Sequence, residues 1–267
     1  MKTKSYFSNP KMDALLKKAD VVVFDFNGTL LDDEPVLLEA WNSSIEEWHK
    51  VHKPDVTCPH IDEASYAEFC LGVQTKDWMP TILGRPLEEG ELDAVRKRKD
   101  EIYIQTMSEK AHEIVRPGVL ELIGFLSDAG VPMALATSAR WAILEPALGK
   151  KGLNVASRFE IIVCGDMVEK KKPHPEVYEK IKAYFTKASG TTPRLLAIED
   201  SETGVESAKR ADADCLAIPN RFTRSQDLSA ADAIIDTLLP NAAFVSPVLP
   251  TPDVDAEKLI TTFRPQG

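Results

Sequence analysis

A chain of 267 residues, 43% hydrophobic and 28% charged, has the size and composition of one large globular domain or two smaller ones. Its formal net charge of −10 argues against a nucleic-acid-binding surface. No apolar run approaches the roughly 18 residues that span a bilayer, and residues 1–18 carry charges without the apolar core of a secretory signal, so a cytoplasmic protein without a membrane partner is expected.

In chain order, a polar leader ends in a short helical stretch, Asp13 to Lys18. Val21–Phe24 then forms an apolar run that stops at Asp25, the pattern of a buried strand delivering a carboxylate to its C-terminal edge. From Glu34 to about Lys110 no convincing strand occurs. Leu37, Trp41, Ile45 and Trp48 line one helix face. Ala64–Cys70 and Lys76–Leu83, the latter interrupted at Pro80, are shorter helix candidates. Glu88–Lys110 is a long charged helix with Leu92, Val95, Ile102 and Met107 inward. This block reads as a helical insert after the first strand.

From Arg116 onward strands and helices alternate. Pro117 opens a helix that ends before Gly130. Strands are expected at Val131–Ala136, Glu160–Cys164, Leu195–Ile198, Cys215–Ile218 and, briefly, Ala233–Ile235. Helices are expected at Ala139–Leu148, Pro175–Lys187 and Gly204–Ala211. Such alternation implies an α/β fold, a doubly wound parallel sheet covered on both faces. The proline-rich stretch 240–267 reads as an extended tail. Cys58, Cys70, Cys164 and Cys215 form no CxxC pair, so reduced thiols are expected. Cys58 and His60 lack a second ligand pair, which weighs against a zinc site.

Four polar groups stand where strands end: Asp25 with Asn27, Thr137 with Ser138, the lysines before Pro173, and Glu199 with Asp200. In a doubly wound sheet such ends meet in one crevice. Asp25 and Asp200 offer hard oxygen ligands to Mg²⁺, while a lysine and a hydroxyl offer donors to an anion. Together these are the equipment of phosphoryl transfer. Lys170 and Lys171 fit a solvated face, whereas Pro173 singles out Lys172. His174 fits the start of the next helix better than a catalytic base.

In this order, Asp25-Phe-Asn27-Gly-Thr29-Leu, Ala136-Thr137-Ser138, Lys172-Pro173-His174-Pro175 and Glu199-Asp200-Ser201-x-x-Gly204 resemble the haloacid dehalogenase-like hydrolase superfamily. The resemblance spans residues 20 to about 235 and is nearest to its β-phosphoglucomutase and sugar-phosphate phosphatase branch, through Glu-Asp-Ser and the later Pro219-Asn220. It implies a Rossmann-like core of residues 1–33 and 111–267, with 34–110 an inserted α-helical cap. It implies Asp25 as nucleophile forming an aspartyl-phosphate, and Thr137 and Ser138 as phosphate contacts beside Gly28 and Thr29. Lys172 would neutralise charge. Asp25, Asp200, Glu199 and the backbone carbonyl of Asn27 would serve Mg²⁺. Gln74 and Lys76 lie in the segment resembling the family's substrate-facing cap loop. Lys76 is either a contact for a distal anionic group or a surface lysine. Arg140 is either a contact for a second phosphate or sugar hydroxyl, or a surface charge.

One position departs from the pattern. Phosphatases of the family usually carry a second Asp two residues after the nucleophile, as acid and base. An asparagine amide neither gives nor takes that proton, and such help is worth roughly 10²–10⁴ in rate. Asn27 is therefore native in a slow phosphatase or one with a relay elsewhere, engineered in place of Asp, or a sign of different chemistry. Of the last class, a dehalogenase leaves Glu199-Asp200 without purpose, and a phosphonate hydrolase needs a Schiff-base lysine, for which Lys53 and Lys76 have no distinctive setting. The expected enzyme is a Mg²⁺-dependent phosphatase, a monomer, acting on a small phosphorylated metabolite such as a sugar phosphate. The alternatives are a phosphosugar mutase and a catalytically weakened phosphometabolite-binding protein.

Overall fold

The computed structural model of the chain describes residues 9–239 except 72 and 151, so the stretch 240–267 lies outside the described residues. The chain divides into two compact units, one of Asp33–Glu109 and one of the residues on either side of it. Among the described residues no helix is long and apolar enough to cross a membrane.

The flanking unit is built on six strands: β1 (Val21–Phe24), β2 (Met133–Ala136), β3 (Ile161–Val163), β4 (Leu195–Glu199), β5 (Asp214–Ala217) and β6 (Ala233–Ile234). They lie in the order β3-β2-β1-β4-β5-β6, every pair parallel. β1 therefore sits mid-sheet between β2 and β4, buried along its whole length. That burial on both faces is why its sequence is a continuous apolar run and not an alternation. Val21 and Val23 join the cluster formed by Val177, Tyr178, Ile181, Phe185, Val205 and Ala208. Successive side chains point to opposite faces, so Phe24 is directed the other way, where it meets Phe159 edge-on at 6.0 Å between centroids.

The helices, in chain order, are α1 (Pro10–Leu16), α2 (Glu34–His52), α3 (Glu63–Ser65), α4 (Thr75–Leu83), α5 (Glu91–Lys110), α6 (Val119–Asp128), α7 (Trp141–Leu148), α8 (Glu176–Ser189) and α9 (Glu202–Arg210). α1 is capped by the Asn9 side chain, which accepts from Lys11 and Met12 N–H. α6 begins two residues later than Pro117 suggests. Its N-cap is Gly118 at φ 88°, where a Cβ would overlap the Leu238 backbone. β4 runs one residue beyond the apolar run, because Glu199 pairs with Ala217 in the β5 ladder.

α2 to α5 make up the helical unit; α3 leads into a π turn over Tyr66–Cys70. Trp41, Ile45 and Trp48 are buried as the periodicity predicts, but Leu38, not Leu37, completes the face. Trp41 packs edge-on against Trp78 of α4 at 5.1 Å. α4 runs through Pro80 and is not interrupted there. One amide donor is lost, and the helix closes on Gly84 at φ 64°, whose N–H bonds to the Pro80 and Thr81 carbonyls. The inner face of α5 is Val95, Tyr103 and Met107, with Leu92 and Ile102 only half-buried. Tyr103 is drawn inward because its hydroxyl donates to buried Asp33 at 2.6 Å.

Candidate active site

The C-terminal ends of β1, β2 and β4 bring the polar groups of the sequence motifs together. β1 releases Asp25, whose N–H still bonds to the Ile198 carbonyl of β4. β2 releases Thr137, buried, with its Oγ1 accepting from Ala139 N–H. β4 ends in Glu199 and passes straight to Asp200. Lys172 enters from the loop before α8. Its Nζ donates to Asp25 Oδ1 and Glu199 Oε1, both at 2.6 Å, and to the Ala136 carbonyl at 2.9 Å. One ammonium thus joins the ends of three adjacent strands.

The loop that carries this lysine is tied to the helix that follows it. The Glu176 carboxylate in the first turn of α8 accepts from the N–H groups of Glu169 and Lys170, at 2.9 to 3.1 Å. Lys170 and Lys171 are exposed, and the Lys172–Pro173 bond is cis. His174 accepts from Glu176 N–H through Nδ1 and so belongs to the helix start. Burial disfavours a charge on Lys172, but Asp25 and Glu199 outweigh it and raise its pKa. Burial pushes the Glu199 carboxyl up to about 7, against the pull of Lys172.

Asp25, Glu199 and Asp200 each place a carboxylate oxygen within 4.8 Å of the others, all three residues being buried. Lys172 faces two of them, and among the described residues Glu199 Oε2 is buried without a hydrogen-bond partner. Three buried carboxylates clustered in this way offer the hard oxygen donors that suit a divalent cation such as Mg²⁺. Asp200 Oδ2 accepts from Asn220 Nδ2 at 2.9 Å and from Thr223 Oγ1 at 3.4 Å. The turn after β1 fits closely against it: Gly28 sits at φ 70°, and a Cβ there would overlap Asp200 Oδ2.

The remaining residues singled out by sequence fall in two places. Asn27 is half-buried and Thr29 fully buried in the turn after β1, and Thr29 Oγ1 has no hydrogen-bond partner among the described residues. Ser138 follows Thr137, and Arg140 is the exposed N-cap of α7. Gln74 and Lys76 belong to the helical unit, at the N-cap and in the first turn of α4, both exposed. Sequence reasoning missed three side chains. Tyr178 donates to Glu199 Oε1, Thr223 reaches Asp200, and Arg116 donates to the carbonyls of Gly28, Ile218 and Pro219. Only Tyr178 left a usable signal: a tyrosine on a helix's inner face needs a partner for its hydroxyl.

Residues 19–212 match the haloacid dehalogenase-like hydrolases. The chain belongs to that family. Among curated relatives, protein CbbY of Cereibacter sphaeroides is 27% identical over 228 residues, covering 82% of this chain and 92% of its own. A phosphorylated carbohydrates phosphatase of Thermotoga maritima is 28% identical over 192 residues, covering 72% and 81%. Among solved structures, an Asp-to-Asn variant of CbbY from Rhodobacter sphaeroides in complex with xylulose-1,5-bisphosphate superposes with a TM-score of 0.68. It shares 26% identity and covers 82% of this chain and 95% of that one. The parallel sheet with its strand-end carboxylates is thus a haloacid dehalogenase-like fold, and the protein is a hydrolase of that family.

Proposed function

We propose that this hydrolase is a Mg²⁺-dependent phosphatase of a small phosphorylated metabolite, a sugar phosphate. The observation that carries the reading is Lys172 bridging Asp25 and Glu199 with Asp200 beside them. The relatives support the substrate class: one is named for phosphorylated carbohydrates and another was solved with a sugar bisphosphate.

In this mechanism the Asp25 carboxylate attacks phosphorus, the ester P–O bond breaks, and an aspartyl-phosphate forms on Asp25. Lys172 donates to Asp25 Oδ1 and faces the phosphoryl charge. Thr137, Ser138, Gly28 and Thr29 line the phosphate, the orphaned Thr29 hydroxyl being a donor in search of an acceptor. Asp25, Asp200, Glu199 and the Asn27 carbonyl would hold Mg²⁺, which when bound supplies neutralisation of charge on the phosphoryl group. Water then attacks the aspartyl-phosphate and frees Asp25. The leaving oxygen and that water exchange protons with solvent, since the Asn27 amide transfers none. Turnover is slow for that reason. The helical unit, Asp33–Glu109, is the cap in this reading; Gln74 and Lys76 contact the part of the substrate remote from the phosphate, and Arg140 a second anionic or hydroxyl group.

Phosphate release from a panel of sugar phosphates and bisphosphates, with and without Mg²⁺, tests this on the protein and on Asn27→Asp. Mg²⁺-dependent release is expected from both, about 10²–10⁴ faster in Asn27→Asp. Release from neither form overturns the reading.

A further inference from the structure

Tyr178 reaches the site from α8. It is fully buried on α8, among the residues that pack against the sheet. Its hydroxyl donates to Glu199 Oε1, the oxygen that already accepts from Lys172 Nζ at 2.6 Å. The two Glu199 oxygens are therefore unequal. Oε1 carries two donors, and Oε2, equally buried, carries none. The side opposite Tyr178 is shut by α9: a Cβ at Gly204 would overlap Oε2. With a donor on one oxygen and a glycine wall against the other, the carboxylate has one orientation.

We propose that Tyr178 is a positioning residue for the metal site, fixing the orientation in which the Glu199 carboxylate stands beside Asp25 and Asp200. This rests on the metal reading given under Proposed function. The physical reason is satisfiability. Lys172 alone is indifferent to which carboxylate oxygen it meets, so without the tyrosine Glu199 can rotate and offer the lysine either one. The Tyr178 hydroxyl donates to a carboxylate that, when ionised, only accepts. Tyr178 breaks that symmetry by placing a second donor on Oε1. α8 then serves the site twice from its first turn, Glu176 anchoring the lysine loop and Tyr178 anchoring the carboxylate that the lysine meets.

The test is Tyr178→Phe, which keeps the ring and removes one oxygen. Mn²⁺, bound to the full chain in the absence of substrate and followed by the paramagnetic resonance of the free ion, reports the site without catalysis. The expected result is Mn²⁺ affinity at least about tenfold weaker. In turnover, the Mg²⁺ needed for half-maximal rate should rise in parallel, with the substrate KM at saturating Mg²⁺ changed by less than about threefold. Unchanged Mn²⁺ affinity with only a lower melting temperature overturns the proposal, because Tyr178 is then packing. No Mn²⁺ binding by the unsubstituted protein overturns the metal reading and this inference with it. Should Tyr178→Phe not fold, Tyr178→Met carries the test, since it fills the core and also lacks the hydroxyl; weakened Mn²⁺ binding supports the proposal and unchanged binding overturns it.

Discussion

Both units of this protein bury a glutamate against a long cation, with opposite results. In the helical unit Glu91 is met by Arg85 on both oxygens, at 2.6 and 2.8 Å, and by Glu88 N–H at 2.9 Å. Burial works against that carboxyl's charge, yet Arg85 and the Glu88 N–H prevail and hold its pKa below the usual range. In the sheet unit Glu199 has Lys172 and Tyr178 on one oxygen and nothing on the other, and burial pushes its pKa up to about 7. The planar guanidinium closes its partner's hydrogen bonding; the ammonium, a point donor, leaves half of it open. The Glu91 carboxylate is bonded on both oxygens and the Glu199 carboxylate on one.

Removing groups from the two clusters should separate these roles. The largest effect belongs to the open cluster. Asp25→Ala should reduce phosphate release to background, and Lys172→Met should reduce it at least about 10²–10³-fold, as loss of a charge-stabilising donor does. Steady-state kinetics at saturating Mg²⁺ would decide; an Asp25→Ala protein that still turns over removes the nucleophile from the mechanism. In the closed cluster the effect should be on stability. Arg85→Ala strands Glu91 as a buried, uncompensated charge, at a cost of about 3 kcal/mol. Urea unfolding would read that as a lower midpoint, and a midpoint equal to the parent's would show that Glu91 finds another partner.

The smallest effect is a dependence on pH. His49 is buried beside the same pair, with Nε2 3.5 Å from Arg85 Nη2. Burial and then Arg85 lower its pKa from 6.5, with Lys53 acting in the same sense and Glu91 and Glu88 opposing. A histidine with a lowered folded-state pKa is stabilising above the unfolded value and loses that contribution as pH falls through the folded one. Thermal melts taken from about pH 7.5 down to about pH 5 should show a decline that His49→Asn flattens. Parallel curves for the two proteins would place the acid sensitivity elsewhere.

What was legible in the sequence is what is local. The core strands are short apolar runs with polar stops, so Asp25, Thr137 and Glu199-Asp200 announce themselves at strand ends. Lys172 stands out through the proline after it. What was not legible depends on partners distant in the chain. Arg116 meets carbonyls 88 to 103 residues away, and no local pattern reports such a reach. Tyr103 hides on a helix so charged that periodicity favoured Leu92 and Ile102, while the pull of Asp33, 70 residues back, decides which face turns inward. Pro80 looks like a break because propensity counts its missing donor and not the tertiary contacts of Trp78 and Met79, both buried beside it.

Arg116 has a dynamic consequence. Its guanidinium is shared among the carbonyls of Gly28, in the turn after β1, and of Ile218 and Pro219, after β5. The two loops come from non-neighbouring strands and have no covalent reason to move together. Tied to one planar donor, neither can swing out without stripping hydrogen bonds from the other. Opening of the two loops is therefore expected to be one cooperative event, read by amide hydrogen exchange as equal protection in the rims beside Asp25 and Asp200.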